Sequence, residues 1–249
     1  RTPEKIKNDL GWQILPFTDT APIDNLSSHL ARATHLISTI GPVAGQDPVI
    51  AAHKAQLQAF AGWTGYLSAT SVYPDMPDGW VDEDTPPNPA TVRGKARLHA
   101  EQAWQEACGA EIFRIAGIYG PGRNVFKSLY DGSARIIDKP NHLFNRIHQS
   151  DISQIIMAAM QSPERGRILN LADMHPASQA DLFHFAASLA GLTPPEPIPL
   201  EQANLSEMGR GFYTSQRKIR SKILGQTLRY SFTYPDYKAG LRALFEAGE

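Results

Sequence analysis

One cysteine, Cys108, stands in the 249 residues, so no intramolecular disulfide can form, and the count suits a reducing cytoplasm. No apolar run approaches the roughly 20 residues of a membrane span, and no signal-peptide pattern opens the chain. Charge of either sign is not in excess: 24 Lys and Arg against 25 Asp and Glu leave a net charge of −1. That balance gives no electrostatic footprint for nucleic acid or for a membrane surface. The eight histidines are scattered, without His-x-x-x-His or Cys-x-x-Cys, so a metal centre is not expected. A hydrolase elbow, Gly-x-Ser-x-Gly, is absent. Gly117-Ile-Tyr-Gly-Pro-Gly122 runs into Arg-Asn instead of Lys-Ser/Thr, which excludes a P-loop. Gly-x-Gly-x-x-Gly does not occur, and neither an internal repeat nor a low-complexity tract appears.

What is present alternates between two periods. Gly11 to Phe17 reads as a short strand closed by the turn residues Thr18-Asp19-Thr20, after which Ile23, Leu26, Leu30 and Ala33 keep helical spacing. Thr34 to Ile40 is a buried strand stopped by Gly41-Pro42. Pro48 suits the first turn of a helix reaching about Ala61, with Val49, Ala52, Leu57 and Phe60 inward. From Gly65 an apolar run ends in Ser68-Ala-Thr70, the reading of a buried parallel strand. After an acidic, proline-rich passage to Pro89, a helix runs from Arg93. Ala96, Ala100, Ala103 and Ala107 fall on one stripe of it, and Arg93, Arg97, Glu101 and Gln105 on another. Glu111 to Gly122 is then a strand with a glycine-rich turn. This order predicts an α/β, doubly wound, Rossmann-like parallel sheet.

Past Gly122 the texture changes. Ile152, Ile155, Ile156 and Ala159 make an amphipathic helix, Arg167 to Ala172 a strand, and Ser178 with Asp181 an N-cap pair. Pro194 to Pro199 reads as a stiff linker, and the last helix buries Tyr237, Leu241, Leu244 and Phe245. The expected division is a nucleotide-binding domain over 1–172 and a small α+β lobe over 173–249, with 123–150 able to contribute to the lobe.

Several of these motifs share one register. Ser68, Val72, Tyr73, Pro86, Pro87, Gly94, Leu98 and Glu101, then Arg114 to Gly122, Phe144 to Ile152 and Asn170, match a known pattern. It resembles that of the extended short-chain dehydrogenase/reductases, the NAD-dependent epimerase/dehydratase family. The resemblance spans about Arg1 to Ala172. It implies a dinucleotide against Thr39, Ile40, Gly41, Ser68, Ala69, Arg97 and Gly117, and a substrate against Thr70, Arg93, Arg146 and His148.

The departures from that pattern matter more. Where the family has its hydroxyl donor, its catalytic Tyr and its Lys, this chain has Ala69, Arg93 and Arg97. A phenol of pKa about 10 can exchange a proton beside a cation, whereas arginine stays charged above pH 12. The usual relay is therefore expected to be absent, with Thr70 the nearest substitute hydroxyl and no catalytic residue assigned. Read from helix periodicity alone, Arg93 and Arg97 are a solvated face, with Arg97 and Glu101 an ordinary i, i+4 pair. Read from the resemblance, they form a clamp for phosphate or carboxylate. His148 likewise has a structural reading beside the functional one.

Arg1, with Lys5 near it, resembles the arginine that accommodates a 2′-phosphate, favouring NADP with NAD still open. The first strand and glycine-rich turn of such a fold are expected upstream of Arg1. The function expected is an NAD(P)-binding protein of epimerase/dehydratase type with an altered site, acting on a phosphate- or carboxylate-bearing small molecule. The alternative is a non-catalytic NADP(H)-sensing or scaffolding module, favoured if C-terminal side chains such as Phe212 or Tyr213 fill the pocket. A homodimer is left open.

Overall fold

A computed structural model describes residues 11–18, 21–213 and 215–249. Residues 11–18 carry neither helix nor strand, so the strand expected at Gly11–Phe17 does not form among the described residues. Gly11 at φ 65° turns the chain, and Pro16 has no N–H to give a ladder. Of the turn expected next, Asp19 and Thr20 lie outside the described residues; Thr18 and Ala21 on either side exchange hydrogen bonds of 3.1 and 2.9 Å. The first helix is short, α1 (Leu26–Leu30).

Strands β1 (His35–Ser38) and β2 (Trp63–Ala69) are joined by α2 (Pro48–Gln58). Asp47 caps α2 by accepting from the N–H groups of Val49 and Ile50, and its other oxygen takes the Trp104 indole N–H at 3.0 Å. Leu57 and Phe60 turn inward as expected, but Ala52 is exposed. His53 takes its place in the core, with a non-helical φ of −135° that lets its Nε2 accept from Ile23 N–H.

After a turn at Thr70–Val72, a two-residue strand β3 (Trp80–Val81) interrupts the acidic passage. Helix α3 (Val92–Cys108) is capped by Thr91 and ended by Gly109 at φ 64°. The single strand expected over Glu111–Tyr119 is two: β4 (Glu111–Ile115) and β5 (Gly117–Tyr119). Between them Ala116 N–H donates to Leu171 and Gly117 N–H to Asn145, handing the chain from one strand partner to another.

The rest comprises α4 (Phe126–Tyr130), β6 (Ile136–Asp138), β7 (Arg146–His148), α5 (Gln149–Gln161), β8 (Ile168–Leu171) and α6 (Gln179–Ala190). Then come β9 (Pro197–Pro199), α7 (Glu207–Gly211), β10 (Lys218–Ile219), α8 (Lys222–Gln226) and α9 (Tyr237–Glu246). The proline-rich stretch is thus part strand: β9 pairs in parallel with β6. The capping box of Ser178 and Asp181 on α6 forms in both directions.

The central sheet is parallel with order β1-β2-β4-β8, the α/β arrangement that the alternation predicts. Period 2 sorts its faces. Tyr66 and Ile112 point to Leu57, Ala100 and Trp104 on α2 and α3, while Phe113, Ile115 and Leu169 point to Ile152, Ile155 and Ile156 on α5 and to Leu224 on α8. A second core joins β6, α4, α6 and α9 through Phe126, Ile136, Phe183 and Leu241. Of the residues expected inward on α9, Phe245 remains partly exposed and packs on Phe126 at 5.8 Å.

Candidate functional site

The C-terminal ends of β1 and β2 meet the first turns of α3, and there the chain concentrates its unusual residues. Gly94 permits the approach: a Cβ on it would lie 2.6 Å from Ser71 O and 2.7 Å from the Pro89 side chain. One turn on, Arg97 is half-buried and turned inward. Its Nη1 donates to the Tyr66 hydroxyl at 3.0 Å and to Leu67 O at 3.2 Å. Its Nη2 lies 2.7 Å from where a Cβ on Gly41 would sit, so any other residue there would have to displace this guanidinium. Arg93, a further turn away, is exposed. The stripe that carries both is therefore not a uniform solvated face.

Glu101 continues the stripe into the core, but it does not pair with Arg97. Its carboxylate receives Arg114 through Nη2 at 2.7 Å and Nε at 3.2 Å, and also accepts from the Ser68 hydroxyl. Ser68, Arg114 and Asn170 sit in register across β2, β4 and β8, which aims all three at this point. The Arg114 guanidinium lies over the Tyr73 ring, 4.7 Å from its centroid, and the Tyr73 hydroxyl donates to Asn170 at 2.8 Å. Burial works against the Arg114 charge, but Glu101 outweighs it and holds the pKa above the ordinary arginine value.

The two phenols beside this group, Tyr66 and Tyr73, are both held above the ordinary tyrosine range. Tyr66 touches Arg97, yet burial pushes its pKa up to about 12 although the cation pulls the other way. It is fully buried and stacked on Trp104. Tyr73 is also raised by burial and spends its hydroxyl on Asn170.

The expected residues fall into two groups. Thr39, Ile40 and Gly41 follow directly on β1, with Thr39 and Ile40 exposed. Ser68 and Ala69 end β2 and Thr70 opens the turn after it, with Ser68 engaged by Glu101. Arg97 closes this group. Gly117, at the start of β5, pairs with Arg146, and its N–H is donated to Asn145. Arg1 lies outside the described residues.

Arg146 and His148 lie on β7, which pairs with β5 and not with β1 or β2. Arg146 is buried and donates to the carbonyls of Phe144, Ala177 and Ser178, with its pKa lowered by burial. His148 caps α5, its Nδ1 accepting from Ser150 N–H, and is packed between Tyr119 and Tyr234. Burial lowers its pKa too.

Two participants escape a sequence reading. Tyr66 could have been found, since alternation with Ser68 puts it on the α3 face of β2. Arg217 had no signal, because only the fold brings it 147 residues back to donate to Thr70 O, as well as to Pro74 O. Nearby, a cavity of about 200 Å³ is lined by Ile136, Lys139, His142, Phe144, Gln179 and Tyr213. Tyr213 is buried between His142 and Phe144, whereas Phe212 is exposed.

With this geometry in view, the comparisons are informative. A structurally characterised, functionally unknown conserved protein from Silicibacter pomeroyi DSS superposes with a TM-score of 0.84 at 41% identity, covering 88% of this chain and 79% of that one. The chain belongs to the family of that conserved protein. Members of this family share their fold with NAD-dependent epimerase/dehydratases. A putative one from Methylobacillus flagellatus matches at TM-score 0.74 and 26% identity, over 100% of this chain and 88% of that one. The human epimerase family protein SDR39U1, solved with NADPH, matches at 0.71 and 16% over 88% and 86%. Protein YeeZ of Escherichia coli is 30% identical over 174 residues, 69% of this chain, and the match spans 58% of the YeeZ length. No family model matches the chain. Among the described residues no helix is long and apolar enough to cross a membrane, and no cluster of His, Cys, Asp and Glu is placed to hold a metal.

Proposed function

We propose that this chain binds NADP, with NAD the weaker choice, as an epimerase/dehydratase-type protein whose catalytic site has been altered. The observation that carries the reading is Arg97, whose guanidinium is turned onto Gly41 and fixed there by Tyr66 and Leu67. A permanent cation at the ends of β1 and β2, with exposed Thr39 and Ile40 beside it, fits a phosphate- or ribose-bearing ligand. The NADPH in SDR39U1, a protein of the same fold, supports that choice. When bound, the nicotinamide would supply hydride chemistry. This chain's residues would bind and orient it: Arg97 against its oxygens, Gly41 keeping space for the guanidinium, and Arg93 reaching toward an anionic substrate. Neither arginine can take or return a proton near neutrality, so an epimerase-type proton relay does not run through them.

A non-catalytic NADP(H)-sensing or scaffolding module is the second reading. It is supported by Tyr213, which occupies the space between His142 and Phe144, and by Arg217, which closes over Thr70. Titration of the chain with NADPH and NADH, followed by nicotinamide fluorescence, tests both readings. Tighter binding of NADPH is expected, and no binding of either would refute them. Turnover of nucleotide sugars or small carbonyl compounds would support only the first.

A further inference from the structure

Arg97 and Glu101 stand four residues apart on one stripe of α3, the spacing at which a helical ion pair ordinarily forms. Such a pair would neutralise the cation on which the dinucleotide reading rests. It does not form, because Glu101 is held by two other side chains: by Arg114 through Nη2 at 2.7 Å and Nε at 3.2 Å, and by the Ser68 hydroxyl. The capture is complete in the sense that both side chains of the Arg114–Glu101 pair are 2% exposed. Arg97 bonds Leu67 O while Glu101 bonds the next residue, Ser68, and the Glu101 charge is felt at the Tyr66 hydroxyl that Arg97 touches. Released from Arg114, the carboxylate would therefore have Arg97 as its nearest cation on the helix.

We propose that Arg114 is a positioning residue for the anion site: by holding Glu101 it leaves the Arg97 charge uncompensated and available to a ligand phosphate. The inference rests on the dinucleotide reading and adds to it a cause for the site's charge. Removing Arg114 and removing Glu101 should then differ in binding although both damage the same buried pair. In Arg114→Met the free carboxylate turns to Arg97, whereas in Glu101→Gln there is no charge to turn.

The test is NADPH titration of both variants and of the double variant Arg114→Met/Glu101→Gln, at a temperature where urea melts show each to be folded. Arg114→Met is expected to bind about tenfold more weakly, with a flatter dependence on salt. Glu101→Gln should stay within about twofold of the parent, and the double variant should recover affinity and salt dependence. Equal loss in both single variants, tracking their stability, would mean the pair is only structural and would overturn the inference. Should the parent bind no NADPH, the dinucleotide reading fails by itself. The positioning claim is then read from the Arg97 Nε–Hε NMR resonance, which must move in Arg114→Met and hold in Glu101→Gln; any other result overturns it.

Discussion

Replacing Gly41 by alanine isolates the contact on which the site is built. The new Cβ would meet Arg97 Nη2 at 2.7 Å, so the guanidinium must retreat by about 1 Å to reach ordinary carbon contact distances. The obstacle is the end of a flexible side chain, so the backbone need not move. Retreat does break the 3.0 Å bond to Tyr66 and the 3.2 Å bond to Leu67 O. Hydrogen bonds to a charged group are worth about 1.5–3 kcal/mol each, but Arg97 is only half-buried and water replaces part of the loss. A net destabilisation near 1 kcal/mol is expected in urea. The cation no longer stands where a ligand needs it, and a loss of about 1–2 kcal/mol in binding corresponds to roughly 5- to 30-fold in Kd for NADPH. Gly225→Ala is the control, since nothing lies within 4 Å of a Cβ there. Unchanged NADPH affinity in Gly41→Ala, with stability lowered as expected, would refute the placement of the ligand at Arg97.

Asp173 carries a different expectation. Burial raises its pKa to about 7, with nearby Asp236 and Asp151 adding to the effect while His175 N–H and Arg146 oppose it. A carboxyl whose folded pKa lies above its unfolded value contributes stability that is complete below about pH 4 and lost as pH rises through 7. Asp173→Asn should therefore flatten the stability curve between those limits and gain on the order of 2–4 kcal/mol above pH 7. Urea unfolding over pH 4 to 8 measures it, and a parallel curve for the variant would contradict the assignment. Gly240→Ala should lower stability by about 1–3 kcal/mol, because its Cβ would overlap the Tyr119 hydroxyl, which is fixed at 3.2 Å from Asp236 O. A melting temperature unchanged within error would show that α9 can shift.

The parallel sheet was readable because its strands carry apolar runs closed by small or turn residues, and helices α2, α3 and α6 because Pro48, the alanine stripe from Ala96 to Ala107, and Ser178 with Asp181 are local signals that need no tertiary partner. Gly11–Phe17 misled for the opposite reason: its pattern suits a strand, but pairing depends on a neighbour that local sequence does not contain. The break at Ala116 was invisible for the same cause, since Leu171 and Asn145 compete for successive N–H groups only once the chain is folded. In the site, periodicity placed Arg93, Arg97 and Glu101 on one stripe but could not say that it runs from solvent into the core. That depends on Arg114, thirteen residues beyond Glu101 and on another element. The intramolecular bonds of Arg146 to three backbone carbonyls and of His148 to Ser150 N–H also depend on the folded chain and carry no local signal.

The central claim, that Arg97 is the fixed charge on which a dinucleotide rests, is tested most directly by the NADPH affinity of Arg97→Met. This substitution keeps an unbranched apolar stem of similar reach while removing the cation. A loss of about tenfold or more in affinity is expected, together with a shallower salt dependence. Parent-like affinity and salt dependence in Arg97→Met would contradict it.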